Sequence, residues 1–320
     1  MSKINVLSAG RLPRKTQQAL DDRFAVYRPD GDDPVESLGA ALGSIRGIAR
    51  GGHFQVSAET IDMFPRLEII ANFGVGYDGI DLARCAARGI VVTNTPDVLT
   101  EEVADTALGL LLMTVRELSA AERYLHAGKW PEAPYPLTRA TLRNRTVGIV
   151  GLGRIGLAIA RRLDAMAVPV VYHTRNPRPD VGYRYYADLR TMAAEVDTLM
   201  IVLPGTAATR NAINMDILRA LGPNGIVVNI GRGSVIDEPA LAAALRGGTI
   251  MAAGLDVFAD EPNVPAELMA LPNAVLLPHV GSASVHTRDA MGQLMVDNLI
   301  AWFDTGKPVT PVPETPVPTR

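Results

Sequence analysis

Short apolar runs alternate with stretches of helical period from the start of the chain. Ile4–Ser8 reads as a strand, Pro13–Leu20 as a helix, Leu67–Asn72 as a strand, Leu82–Arg88 as a helix and Ile90–Thr93 as a strand. Uninterrupted apolar runs joined by amphipathic segments predict parallel strands buried on both faces, with crossover helices between them. A long helix is expected from Thr100, which can cap it, to near Gly128, with Glu101 and Glu102 in the first turn, where the helix dipole favours acids. Its apolar side is Val103, Ala107, Leu110, Leu111, Thr114 and Leu118. A linker-like, proline-containing stretch follows at Trp130–Pro136. A second series then begins at Thr146, with strands expected at Val147–Val150, Val168–Tyr172, Thr198–Leu203, Ile226–Ile230, Ala253–Val257 and Val275–Leu277. One more helix is expected over roughly Ser284–Phe303, and the proline-rich tail from Pro308 reads as extended rather than core.

The pattern predicts an α/β protein of two domains. The six strands of the second series fit a doubly wound dinucleotide fold. That series lies between the first α/β unit and a final helix, so it reads as an insertion, with residues 100–284 as the dinucleotide-binding domain and residues 1–99 with 285–320 as the substrate domain. Two chain crossings at one boundary predict a hinge and a cleft. Composition changes this picture little: 320 residues, 48% apolar and 20% charged, suit two soluble domains. A net charge of -3 argues against a general binder of nucleic acid or anionic membranes. The start MSKINVLSAG lacks a signal-peptide pattern, and the longest apolar run, Ala107–Val115, is too short to span a bilayer. The single cysteine, Cys85, sits among small apolar residues, which predicts packing in a reducing, cytoplasmic setting. No His/Cys cluster has metal-ligand spacing, so no metal is expected.

The candidate chemistry begins at Val147–Gly156, VGIVGLGRIG, a G-x-G-x-x-G run directly after a strand and opening a helix, Leu157–Met166. Gly151 makes the tight turn, Gly153 lets the backbone approach a pyrophosphate and Gly156 lets helix and strand pack closely. An NAD site places a carboxylate at the end of the next strand. Here that position reads Tyr172-His173-Thr174-Arg175-Asn176, with Arg178 nearby and no acid. A guanidinium beside a hydroxyl suits a 2′-phosphate, which an acid would repel, so NADP(H) is the preferred cofactor and NAD(H) a second choice.

Three polar residues follow three later strands: Arg232 in NIGRGS, Glu261 in DVFADEP and His279 in LPHVGS. In a parallel sheet all three reach the carboxyl edge that carries the glycine turn. The set suits hydride transfer to a 2-keto acid. The imidazole of His279 would protonate the forming alkoxide, Glu261 would orient and stabilise the ring, and Arg232 would bind the substrate carboxylate and polarise the carbonyl.

These motifs, with NFGVGYDGID and the T-x-E-x-A-D-x-A start at Thr100–Ala107, resemble the D-isomer-specific 2-hydroxyacid dehydrogenase family over nearly the whole chain. The resemblance implies a Rossmann cofactor domain inserted into a flavodoxin-like substrate domain. It implies Arg232, Glu261 and His279 as catalytic residues and Val75 and Gly76 as the loop receiving the substrate carboxylate. Cofactor positions fall on Gly151, Leu152, Gly153, Arg154, Ile155, Gly156, Thr174, Arg175, Asn176, Pro204, Thr209, Ile230, Gly231, Arg232, Asp256, His279 and Gly281. Members are usually homodimers joined through the long-helix region, and the apolar Ala107–Val115 face is compatible with that or with interdomain core. The basic strand end resembles the NADPH-dependent glyoxylate/hydroxypyruvate and hydroxyphenylpyruvate reductases. A cofactor-binding sensor or corepressor on the same scaffold, and an NAD-dependent dehydrogenase, are the alternatives. Among other residues, His173 is expected near the adenine, His126 and His286 at helix ends, and Trp130 and Trp302 in packing or interfaces. His53, in a loop after an apparent strand, lies between Arg50 and Phe54, both candidates for substrate selectivity.

Overall fold

The computed structural model describes residues 3–29, 36–52 and 54–317, so His53 lies outside the described residues. The chain divides into two compact units, residues 1–99 with 283–320 and residues 100–282. The second crossing falls just before Ser284, whose hydroxyl caps the final helix, Val285–Thr305, by accepting the Thr287 N–H at 3.2 Å.

The first unit is a parallel sheet of β1 (Asn5–Ala9), β2 (Ala25–Tyr27), β3 (Gly47–Arg50), β4 (Ile69–Asn72) and β5 (Val91–Thr93), in the order β2-β1-β3-β4-β5. This is the flavodoxin-like order. Successive side chains leave a strand on opposite faces, and the unit has one core for each. Leu7, Ile48, Ile70 and Val92 face Ile45, Phe64, Cys85 and Ile90. Val6, Ala49, Ile69 and Val91 face Met295, Val296, Leu299 and Trp302 of the final helix. That helix also lies along Arg14–Arg23 at close range, because a Cβ on Gly292 would run into Thr16. The exposed Lys15–Asp289 and Arg23–Asp304 pairs flank the contact, but pairs of this kind contribute little beside the apolar burial. Cys85 is fully buried, and burial, ahead of the nearby Asp81 carboxylate, pushes its thiol up to about 12, so it packs as a small hydrophobe.

The second unit holds β6 (Val147–Val150), β7 (Val170–His173), β8 (Arg184–Tyr186), β9 (Thr198–Ile201), β10 (Ile226–Asn229), β11 (Ala252–Leu255) and β12 (Ala274–Leu276). All pairings are parallel, in the order β12-β11-β10-β9-β6-β7-β8. Strand order reverses between β6 and β9, the switch point at which a doubly wound sheet opens a crevice. The sheet has seven strands rather than the expected six. The addition, β8, is a short edge strand with the sequence RYY and no apolar run to announce it. Among the described residues no helix is long and apolar enough to cross a membrane.

Two expectations need correction. The long helix is two helices, Thr100–Val115 and Leu118–His126, broken where Glu117 takes a left-handed φ of 52°. Leu118 is therefore exposed instead of continuing the buried stripe. That stripe packs on its own unit's sheet, where Leu110 and Thr114 press on β11 so closely that Gly254 has no room for a Cβ. The tail is not merely extended. Val312 and Thr315 are buried, the Val312 N–H donates to the Val92 carbonyl at 2.9 Å, and the Val92 N–H donates to the Thr315 hydroxyl at 2.9 Å. The tail thus covers the outer edge of β5. Val312→Ala is expected to lower stability by about 1–3 kcal/mol in urea denaturation; an unchanged midpoint would show that the tail contributes no packing.

Candidate active site

The glycine turn joins β6 to the helix Arg154–Ala165. Gly151 has φ 102°, and a Cβ there would sit 2.9 Å from the Val202 carbonyl, so only glycine fits. A Cβ on Gly156 would strike the Gly151 carbonyl, while beside Gly153 there is open space. The N-cap, Gly153, makes no side-chain cap hydrogen bond, and the first turn carries no acid. An uncapped helix N-terminus beside open space suits a pyrophosphate. The residues present therefore fit a dinucleotide.

At the end of β7 the Thr174 hydroxyl donates to the Asn176 carbonyl at 2.6 Å, shaping the turn that presents Arg175. Arg175 is exposed and has no ion pair among the described residues. Arg178 is occupied differently: it pairs with Asp180 and donates to the Leu152 carbonyl of the glycine turn at 2.7 Å. It also donates its backbone N–H to the Tyr172 hydroxyl at 2.8 Å. Nδ1 of His173 donates to the Tyr186 carbonyl, 2.9 Å away, tying β8 to β7. Pro204 and Thr209 share one turn, with the Thr209 hydroxyl donating to the Pro204 carbonyl at 2.6 Å.

Because the strands are parallel, the segments after β10, β11 and β12 emerge on this same edge. Asn229, fully buried, shapes the first: its side-chain oxygen accepts the Gly231 N–H at 3.0 Å and its amide donates to the Arg232 carbonyl at 2.9 Å. Gly231 and Gly233 let this turn wedge between neighbours, since a Cβ on Gly231 would lie 2.6 Å from the Leu203 carbonyl and one on Gly233 would collide with the backbone of Phe258 and Ala259. Arg232 sits half-buried between them, donating to the Gly231 carbonyl at 2.8 Å. Three residues beyond Phe258 stands Glu261. One of its carboxylate oxygens accepts the Phe258 N–H at 2.8 Å, and the other lies 2.5 Å from Nδ1 of His279. The glutamate side chain is 11% exposed and the imidazole 42%, so the acid is sheltered while the ring reaches solvent.

His279 has a φ of 52°, a left-handed conformation that costs a non-glycine residue about 1 kcal/mol or more. Asp256 holds it there. The His279 N–H donates to the Asp256 carbonyl at 2.9 Å, and the two Asp256 carboxylate oxygens accept the N–H groups of Val280 and Gly281 at 2.7 and 2.9 Å. Asp256 is buried; burial pushes its pKa up, while the two N–H donors and the nearby imidazole oppose that. Ile230 and Gly281 border it, with a Cβ on Gly281 reaching within 3.0 Å of Asp256 Oδ2 and 3.5 Å of Ile230. Sequence reasoning assigned Asp256 to the cofactor and missed its grip on the His279 turn. Glu238 was also missed. Its carboxylate accepts the Ala259 N–H at 2.8 Å, and burial raises its pKa against that bond.

Val75 and Gly76 belong to the first unit, on the segment after β4. Their N–H groups have no partner among the described residues. Arg50, a selectivity candidate, is instead buried. It donates to the Phe54 carbonyl at 2.6 Å and to the side chain of Asn72, so its guanidinium is bound into the unit. Asp256→Ala would leave the half-buried Val280 N–H and the buried Gly281 N–H unpaired, and is expected to cost about 2–5 kcal/mol. Urea denaturation measures this; a loss below about 1 kcal/mol would show that the turn does not depend on the carboxylate.

Residues 108–281 match the family model for the D-isomer specific 2-hydroxyacid dehydrogenase, NAD binding domain. A hydroxyphenylpyruvate reductase of Plectranthus scutellarioides is 43% identical over 98% of this chain and 100% of its own length. A glyoxylate/hydroxypyruvate reductase of Arabidopsis thaliana is likewise 43% identical, over 98% and 100% of the two chains. Among solved structures, an NADPH-dependent glyoxylate/hydroxypyruvate reductase from Sinorhizobium meliloti, in complex with NADP and malonate, is similar. It is 54% identical, with a TM-score of 0.96, over 100% of this chain and 99% of that one.

Proposed function

Since the chain belongs to the D-isomer-specific 2-hydroxyacid dehydrogenase family, we propose that it reduces small 2-keto acids to D-2-hydroxy acids with NADPH. Glyoxylate, hydroxypyruvate and aryl pyruvates are the substrate class. The observation that carries this reading is the 2.5 Å contact between Glu261 and His279, on the sheet edge that also bears the glycine turn.

The N-terminus of Arg154–Ala165, with Gly151, Leu152, Gly153 and Ile155, would hold the pyrophosphate. Thr174, Arg175 and Asn176 would take the 2′-phosphate. The bound dinucleotide supplies a hydride to the carbonyl carbon. Glu261 engages Nδ1 of His279, so proton exchange with the substrate runs through Nε2. As charge grows on the carbonyl oxygen, the ring donates its proton there and the nearby carboxylate stabilises the imidazolium beforehand. Arg232, a planar cationic fork, binds the substrate carboxylate and polarises the carbonyl. The N–H groups of Val75 and Gly76 are assigned as further donors to that carboxylate.

The chain is read as a cytoplasmic homodimer. Its support is the stretch 118–137, where Leu118, Leu125, Trp130 and Leu137 are exposed, Leu137 at 97%. Isolated apolar residues on a surface need no explanation, but four within one short stretch suit an interface.

NADPH oxidation with glyoxylate, hydroxypyruvate and phenylpyruvate tests the activity; tight NADPH binding without turnover of any keto acid would favour a sensor instead. His279→Ala is expected to lower kcat roughly 10²–10⁴-fold with little change in NADPH affinity, and retained turnover would remove His279 from the reaction. Reduction of the carbonyl consumes a proton and oxidation of the hydroxy acid releases one, so a more alkaline medium should disfavour reduction and favour oxidation, as measured from NADPH turnover in each direction. Arg175→Ala should weaken NADPH about 10-fold or more and leave NADH nearly unchanged. Equal losses for both, measured by fluorescence titration, would refute the 2′-phosphate assignment.

A further inference from the structure

We propose that Asn72 and Asn94 are positioning residues that aim the backbone donors of the 74–77 loop at the substrate carboxylate, with the C-terminal tail as their anchor. The inference rests on the reading of Val75 and Gly76 as an anion receiver.

The argument starts from the peptide bond. In a planar trans peptide the carbonyl of one residue and the N–H of the next point in opposite directions. Whatever draws a carbonyl inward therefore turns the following N–H outward. Three consecutive carbonyls of this loop are drawn inward by side-chain amides. The Asn72 amide donates to the carbonyls of Gly74 and Gly76, both at 3.0 Å, and the Asn94 amide donates to that of Val75 at 3.0 Å. The N–H groups of Val75, Gly76 and Tyr77 must then face the other way. Three successive outward N–H groups make an anion-binding concavity. The one remaining N–H, on Gly74, is taken by the buried Thr95 hydroxyl at 3.0 Å.

Both asparagines are themselves held. Asn72, 1% exposed, closes β4, and its side-chain oxygen accepts from the guanidinium of Arg50. That contact fixes which way the amide faces, because only the oxygen can accept. Asn94 follows β5 and is fastened by the tail. The Thr310 hydroxyl donates to the Asn94 carbonyl at 2.6 Å, and the Asn94 N–H donates to the Thr310 carbonyl at 3.3 Å. Thr310 is locked in turn by fully buried Asn298 of the final helix, whose side chain accepts the Thr310 N–H and donates to its hydroxyl, each at 2.8 Å. A path of hydrogen bonds thus runs from the final helix through Thr310 and Asn94 to the Val75 carbonyl.

The test uses the full-length enzyme. Asn94→Ala removes the donor to Val75 and leaves the backbone bonds to Thr310 possible. Its expected effect is a rise in KM for hydroxypyruvate of about 10-fold, with kcat within about two-fold and NADPH affinity unchanged. Asn94→Asp, nearly isosteric but unable to donate, should raise KM further, since a carboxylate repels both the Val75 carbonyl and the substrate. A volume-filling role would predict the reverse order, with Asp the milder change. Unaltered KM in both variants, or a fall in kcat alone, would overturn the proposal. If neither variant folds, Thr310→Val, which loses the hydroxyl bond to Asn94, should raise KM in the same direction, and an unaltered value there would overturn it equally. Gly76→Pro, which deletes an N–H outright, separates the two levels. If it raises KM while the Asn94 and Thr310 variants do not, the loop receives the anion but is not aimed this way. If it leaves KM alone, the reading of the loop itself fails.

Discussion

Parallel strands impose a constraint on which the rest of this protein depends. When every strand in a sheet runs the same way, every segment leaving a strand's carboxyl end lies on one edge, however far apart those segments are in the chain. The second unit has seven such strands, and the segments after β6, β10, β11 and β12 carry the glycine turn, Arg232, Asp256 with Glu261, and His279. The sheet brings the segments to one edge, and local hydrogen bonds then set each group. Asn229 sets the Arg232 turn, the Phe258 N–H orients the Glu261 carboxylate, and Asp256 holds His279 in a backbone conformation it would otherwise leave. Buried side chains with fixed partners hold the polar groups that meet solvent. This division suits a site in which the reacting groups must be in place before a substrate arrives.

On the proposed reading of the 74–77 loop, the first unit would meet a similar need with neutral amides instead of charges. A positively charged side chain could attract a carboxylate, but it could also move. Backbone N–H groups fixed by bonds to the carbonyls behind them have much less freedom, and their dipoles need little reorganisation when an anion binds. Asparagine suits such a loop because one side chain can donate to carbonyls and accept from a neighbouring cation at once. Asn72 does both, toward Gly74 and Gly76 on one side and Arg50 on the other.

The β-α rhythm, the insertion and the glycine turn were legible because buried parallel strands and tight turns leave strong local marks, such as the apolar run before GLGRIG. The pairing of Glu261 with His279 could be anticipated from their placement after successive strands. Less was legible where the signal is not local. β8 is a polar edge strand, and its membership of the sheet is decided by β7 beside it. The break at Glu117 interrupts a stripe whose spacing looks continuous, since apolar period alone does not show where a backbone turns left-handed. Arg50 was a selectivity candidate because it borders the loop around His53, yet the carbonyl of Phe54 and the amide oxygen of Asn72 offer partners that make its burial tolerable. Asp256 is the instructive case. The family resemblance implied a cofactor contact for it, while its two oxygens accept from the neighbouring backbone. An isolated asparagine at a strand end, as in IIAN before Gly74, is the mark that would have exposed the loop's support.

The first unit is built from two segments that flank residues 100–282, and synthesis reaches them at different times. When residues 1–99 have left the ribosome, the β-sheet face made of Val6, Ala49, Ile69 and Val91 still lacks the helix that shields it, which is made only after residues 100–282. The intervening 183 residues, 100–282, can meanwhile settle into a self-contained body. The nascent protein must therefore carry a partly bare hydrophobic surface until that helix is made. Such an intermediate is prone to association and is a natural client for a holding chaperone.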